Sequence, residues 1–358
     1  MMTDHTRPRG PGTPRTPRGY TLLEMILTIV AVATIGAAIA PALGSLRGEG
    51  YNAQSIANLM QLGQGRDQYA LDNKDRIFTY TWRAGETYTM PDGRTYSESD
   101  DVAAAARQNQ EILMRRTGRF TAGYHKILTF AGRIPHQRFV HLVLMDYMAG
   151  DDDEQFLSPT FADPADGDLL NWQERPLDYT GGSSVPYANG FTFGYDADYN
   201  WSERHIRQRW PFATSYHGVP FAWQGDGPFD AYVPIGSTPH LYSSQGNPDI
   251  SGRYTHQVAH PGKKVHLHEE FDREQKRFPW FAYDHAVPEK LMFDGSINSQ
   301  PSGEANDSVS PAQPGSVWMQ RYVPLDTFPI PLGGFGDNTE LNMRYRWTEG
   351  GLQGIDYD

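Results

Sequence analysis

The chain has no cysteine, which excludes disulfides and thiolate metal sites, so its core alone must hold it together. Cationic side chains are also scarce: 31 Lys and Arg stand against 43 Asp and Glu, for a formal net charge of -12. That balance argues against broad binding to phosphate backbones, and no nucleic acid is expected among the partners. Signatures of nucleophilic or phosphoryl chemistry are missing as well. There is no Gly-x-Ser-x-Gly, no Walker loop and no His-Glu-x-x-His. No internal repeat is visible. No catalytic residue is assigned on this basis, and the chain is not read as an enzyme.

Aromatic residues make up 13% of the chain, with 36 Gly and 26 Pro in 358 residues, a composition that fits a loop-rich globular body. Residues 1–19 are built from Pro, Arg, Gly and Thr, cannot form a core and read as a leader. Four arginines and one aspartate in that leader leave the remainder at -15. From Met25 to Leu46 run 22 residues without a charge, enough to cross about 30 Å of hydrocarbon as a helix. Glu24 stands at the head of this run. A carboxylate there is costly unless it finds a cation, which makes it a functional candidate.

An ordinary secretory signal has an apolar region of about 7 to 15 residues, and a plain anchor needs no Glu at its head. The basic leader, Gly19, Glu24 and the long apolar run together resemble the class III signal of type IV pilins and type II secretion pseudopilins. The resemblance implies that a prepilin peptidase cuts after Gly19 and that the new N-terminal Tyr20 is methylated, although members usually carry Phe or Met there. It also implies that Glu24 pairs with the N-terminal ammonium of a neighbouring subunit. Pro41 matches the helix-bending proline many members carry.

The expected fold is therefore α+β and pilin-like: a long N-terminal transmembrane and spine helix packed on an antiparallel sheet, with a large loop-rich head. The domains are a cleaved leader at 1–19, a transmembrane helix at 20–46, an amphipathic continuation at 47–76 and a periplasmic or extracellular head at 77–358. A helix from Tyr20 to Asn73 would be about 80 Å long. The resemblance implies a structural subunit of a pseudopilus or pilus-like filament. Its partners would be prepilin peptidase, other pilin-like subunits, further copies of itself and the inner membrane, crossed once with the N-terminus cytoplasmic. An alternative of another class is a membrane-anchored extracytoplasmic glycan-binding or hydrolytic module with Trp172, Trp201, Trp210 and Trp223 lining a cleft, although burial is the default for Trp.

Within 51–73, Ile56, Leu59, Met60, Gly63 and Ala70 recur at helical steps, with Gln54, Gln61, Gln64 and Gln68 opposite. Residues 79–99 read as a hairpin turning at Pro91-Asp92-Gly93, and 101–117 as a helix capped by Asp100 or Asp101. Residues 133–148 carry a helical register. A strand is expected at 263–271, a hairpin-like pair around Pro288, a mobile polar loop at 299–315 and an edge strand within 343–357. Ser158-Pro159, Asp163-Pro164, Phe193-Gly194-Tyr195 and His285 with Leu291-Met292-Phe293-Asp294-Gly295 resemble segments of large pseudopilin-like heads, without the Cys of the Cys-Pro segment.

His266, His268 and Glu270 alternate along the expected strand and could form a metal set, but a polar strand face is the preferred reading. Asp196, Asp198 and Asn200 imitate the start of a calcium loop. Trp201 replaces its Gly, and no Glu stands at the twelfth position, so a solvated acidic turn is preferred there too. The same holds for the acidic run 151–154. No metal and no cofactor is assigned, with calcium as the open alternative.

Overall fold

A computed structural model describes residues 48–120, 134–148, 158–174, 176, 210–226, 230–235, 238–246, 250, 252–275, 278–310, 315–321 and 339–358. The chain divides into two compact units, 1–49 and 50–358, and nearly every described residue belongs to the second. The described chain opens with helix α1, over 48–72. Then come strands β1 (Thr87–Thr89) and β2 (Thr95–Ser97) and helices α2 (Asp101–Thr117), α3 (His136–Phe139), α4 (Met145–Met148) and α5 (Gly167–Gln173). The remaining strands are β3 (Tyr216–Gly218), β4 (Asp230–Ile235), β5 (Thr238–Gly246), β6 (Val265–Glu269), β7 (Lys290–Met292), β8 (Ile297–Asn298), β9 (Met319–Arg321) and β10 (Glu340–Asn342). The largest sheet is antiparallel with the order β3-β6-β7-β8; three two-stranded pairs, β1-β2, β4-β5 and β9-β10, accompany it.

Helix α1 buries a stripe of Ser55, Asn58, Leu59, Leu62, Gly63, Arg66, Tyr69 and Ala70, at three- and four-residue steps. The four glutamines are exposed, as their period requires. Met60, by contrast, is half exposed and Ile56 only partly buried. The stripe is rotated from the one that apolar residues alone define, because Ser55, Asn58 and Arg66 find polar partners beneath the helix. Two left-handed residues, Lys74 at φ 58° and Asp75 at φ 68°, end α1, and the Asp75 N–H returns to the Ala70 carbonyl at 2.8 Å.

This overturns the expected fold. The described helix has 25 residues, about 37 Å at 1.5 Å per residue rather than about 80 Å. Among the described residues no helix is long and apolar enough to cross a membrane, so the placement as a single-pass inner-membrane protein is corrected too. The physical reason lies in the composition of α1: its buried face carries Ser55, Asn58 and Arg66 and its outer face Asp67 and Asp72, a pattern suited to a polar partner and water rather than lipid. The expected transmembrane segment, 20–46, lies outside the described residues. Short strands and one-turn helices make up most of what remains, a mixed α and β body.

Local signals are honoured in the segment after α1. Gly93, at φ 87°, completes the β1–β2 turn, where Met90 N–H donates to the Arg94 carbonyl at 2.7 Å. Asp100 is the cap of α2, accepting from Ala103 N–H at 2.8 Å, and Gly118 closes the helix in the left-handed conformation. Farther on, three expectations fail. The turn near the expected hairpin falls at Phe293-Asp294-Gly295 instead of Pro288: Met292 N–H bonds the Ser296 carbonyl at 2.8 Å, and Gly295 adopts φ 89°. Residues 299–310 are anchored at intervals, with Ser302, Ala305, Ser308 and Ser310 buried and Ser302 N–H on the Ala286 carbonyl at 2.8 Å. The tail within 343–357 forms 3-10 turns in place of a strand and buries Tyr345, Trp347 and Leu352.

Candidate functional site

The register of the central sheet sorts its side chains. Tyr216 faces Glu269 and Leu267 faces Leu291, which places these four together; His217 faces His268, and His268 faces Lys290, on the opposite side. Helix α1 covers the first set. Gly63 lies against Leu291, the Arg66 guanidinium donates to the Met292 carbonyl at 3.1 Å, and Asn58 donates to the Tyr216 hydroxyl at 3.3 Å and the Ala162 carbonyl at 3.0 Å. The Ser55 hydroxyl donates to Glu269 Oε1, and the Glu289 N–H donates to Oε2 at 3.0 Å.

Beside this seam sits a cluster of carboxylates under one guanidinium. Arg273 reaches Asp166 at 2.5 Å and Asp163 at 3.5 Å, with all three side chains no more than 9% exposed. Ser215 donates to Asp166 at 2.8 Å. Burial pushes the Asp163 carboxyl above its ordinary range against the pull of Arg273, and burial, reinforced by Asp163, pushes Glu269 well above it. A buried pair of this kind holds a proton more readily than either acid would in water. Burial likewise raises the Tyr216 hydroxyl, with Asp163 and Glu269 adding to it.

On the opposite side, Glu270 meets Arg138 at 2.7 Å and His217 Nε2 at 3.4 Å. Burial raises Glu270, and Arg138 draws it back. The residues expected as a weak metal set are separated by their partners. His266 lies between Phe78 and Phe293, with ring centroids 5.1 and 4.3 Å away, whereas His268 packs on Phe281 and Tyr345 at 4.7 and 5.1 Å and its Nδ1 bonds the Glu269 carbonyl. Burial depresses both imidazoles well below their ordinary value, so they are neutral. Among the described residues no group of three His, Cys, Asp or Glu could hold a metal ion. Both imidazoles are buried among aromatic rings.

Gly19, Tyr20, Glu24 and Pro41 lie outside the described residues, as do Asp196, Asp198 and the run 151–154. Trp172 and Trp223 are buried in the core. The residues sequence reasoning missed are Ser55, Asn58, Arg66, Asp163, Asp166 and Arg273. A signal existed for the first three, since they fall in step with Leu59, Leu62 and Tyr69; the others converge from distant segments. An open cleft of about 620 Å³ lies elsewhere, lined by Tyr69, Asn73, Gln108, Arg115, Arg116 and Tyr147, with Arg116 paired to Asp146 at 2.6 Å. Comparison with protein-family models, with curated proteins and with solved structures gave no match.

Proposed function

We propose that the chain is a structural subunit of a filament of the type IV pilus or type II secretion pseudopilus kind, processed by prepilin peptidase between Gly19 and Tyr20. The observation that carries this reading is the Gly19 and Glu24 spacing, beneath a basic leader and ahead of 22 uncharged residues. The use of charge in the body supports a structural role: Arg273 serves Asp163 and Asp166, Arg138 serves Glu270, and Lys264 serves Asp356, so these acids and bases are engaged with one another. Subunits dock in register because Glu24 of one pairs with the Tyr20 ammonium of the next.

Three measurements test the proposal. N-terminal sequencing of the mature protein should begin at methylated Tyr20; a start near Ala42 would mean an ordinary secretory signal. Cross-linking in the native cell should recover copies of the chain joined to each other or to other chains bearing the same signal. Glu24→Ala and Glu24→Gln should still be cleaved yet enter filaments poorly, and incorporation equal to the parent would sink the pairing mechanism.

A further inference from the structure

Lys264 stands at the entry to β6 with its Nζ 3.0 Å from Asp356 Oδ1, and both side chains are fully buried. The Thr348 hydroxyl touches both groups, 2.5 Å from Nζ and in a hydrogen bond with Oδ1. The second carboxyl oxygen, Oδ2, accepts from the Val265 backbone N–H at 2.7 Å. The Phe221 ring, centred 5.6 Å from Nζ, closes one side, and Trp347 packs edge-on against Phe221 at 5.7 Å. An amine and a carboxyl from segments 92 residues apart are thus held in contact where water is excluded.

From this geometry we propose that Lys264 and Asp356 condense into an intramolecular isopeptide bond that ties the C-terminal tail covalently to the central sheet. The reacting forms are the neutral amine and the protonated acid. Burial favours both, lowering Lys264 and raising Asp356 from their ordinary values, so a proton passes from Nζ to the carboxyl. The Nζ lone pair then attacks Cγ, and the carbonyl electron pair moves onto Oδ2, where the Val265 N–H stabilises the developing charge. Collapse re-forms the carbonyl and breaks the Cγ–Oδ1 bond. Oδ1 already carries the acid proton; it takes a second from Nζ through the Thr348 hydroxyl and leaves as water. One C–N bond forms, one C–O bond breaks, and nothing is oxidised or reduced. Fixed contact supplies the proximity such a step needs, and exclusion of water opposes the reverse hydrolysis.

Trypsin digestion of the denatured full chain, followed by mass spectrometry, tests the bond. Cleavage after Lys263 and Arg346 leaves 264–273 and 347–358, and the cross-link should join them in one branched peptide lighter than their sum by one water. Trypsin should fail to cut at Lys264. Lys264→Arg should release the two segments separately, whereas Asp356→Asn should give the same branched peptide by losing ammonia instead of water. If the native protein yields 265–273 and 347–358 as separate unmodified peptides, the proposal is overturned and the contact is an ion pair only. Persistence of the branch in Lys264→Arg would overturn the assignment equally.

Discussion

The hairpin with α2 and the seam between α1 and the central sheet are built on opposite plans. The first is assembled from neighbours in sequence: the Gly93 turn, the Asp100 cap and the bidentate pair of Arg94 with Glu111, at 2.8 Å through both nitrogens. The second joins Ser55 to Glu269, Asn58 to Ala162 and Arg66 to Met292, across separations of more than a hundred residues. Where contacts are local and exposed, as at the Gly93 turn and the Asp100 cap, each can be lost at small cost. Where buried polar groups depend on one another, removal of one strands the rest.

The largest effect should come from the cation beside the seam. Arg273→Met leaves Asp163 and Asp166 buried without their partner and should cost about 3 to 5 kcal/mol in chemical denaturation. A loss below about 1 kcal/mol would show that other groups serve the two acids and that the seam differs little from the hairpin in this respect.

His136 offers a pH-dependent probe of the core. It is fully buried between Tyr80 and Trp223, neither ring nitrogen has a hydrogen-bond partner among the described residues, and burial lowers its pKa to about 3. The unfolded chain binds a proton there below about pH 6.5 and the folded chain does not, so the stability this residue contributes is present above that pH and is lost as pH falls from about 6.5 toward about 3. His136→Phe should therefore flatten the stability curve in that window by up to about 1.4 kcal/mol per pH unit relative to the parent. Parallel curves would show that His136 takes up its proton in the folded state.

Two smaller changes separate the regions further. Gly295→Ala, at φ 89° in the turn between β7 and β8, should cost about 1 to 2 kcal/mol and loosen hydrogen-exchange protection along those strands. Asp100→Ala should cost about 1 kcal/mol, with lost protection confined to the first turn of α2. Spread of the Asp100 effect into β6 and β7 would mean that the two regions unfold as one.

What could be read from residues follows the same division. The turn at Pro91-Asp92-Gly93 and the cap at Asp100 were legible because a left-handed glycine and a carboxylate before a helix act over three or four residues. The glutamine face of α1 was legible from its period. The buried face was only half legible: hydrophobicity pointed to Ile56 and Met60, while the fold chose Ser55, Asn58 and Arg66.

By itself, then, the sequence determined the local turns, the cap, the exposed face of α1 and the spacing of Gly19 and Glu24. Tertiary structure alone decided that Ser302 and Ser308 of the polar stretch 299–310 are buried, that His266 and His268 are buried against different rings, and that Lys264 meets Asp356. The reason is physical. A polar side chain carries the same sequence signal whether it faces water or a buried partner, and the difference appears only when distant segments desolvate it and supply the hydrogen bond that water had made.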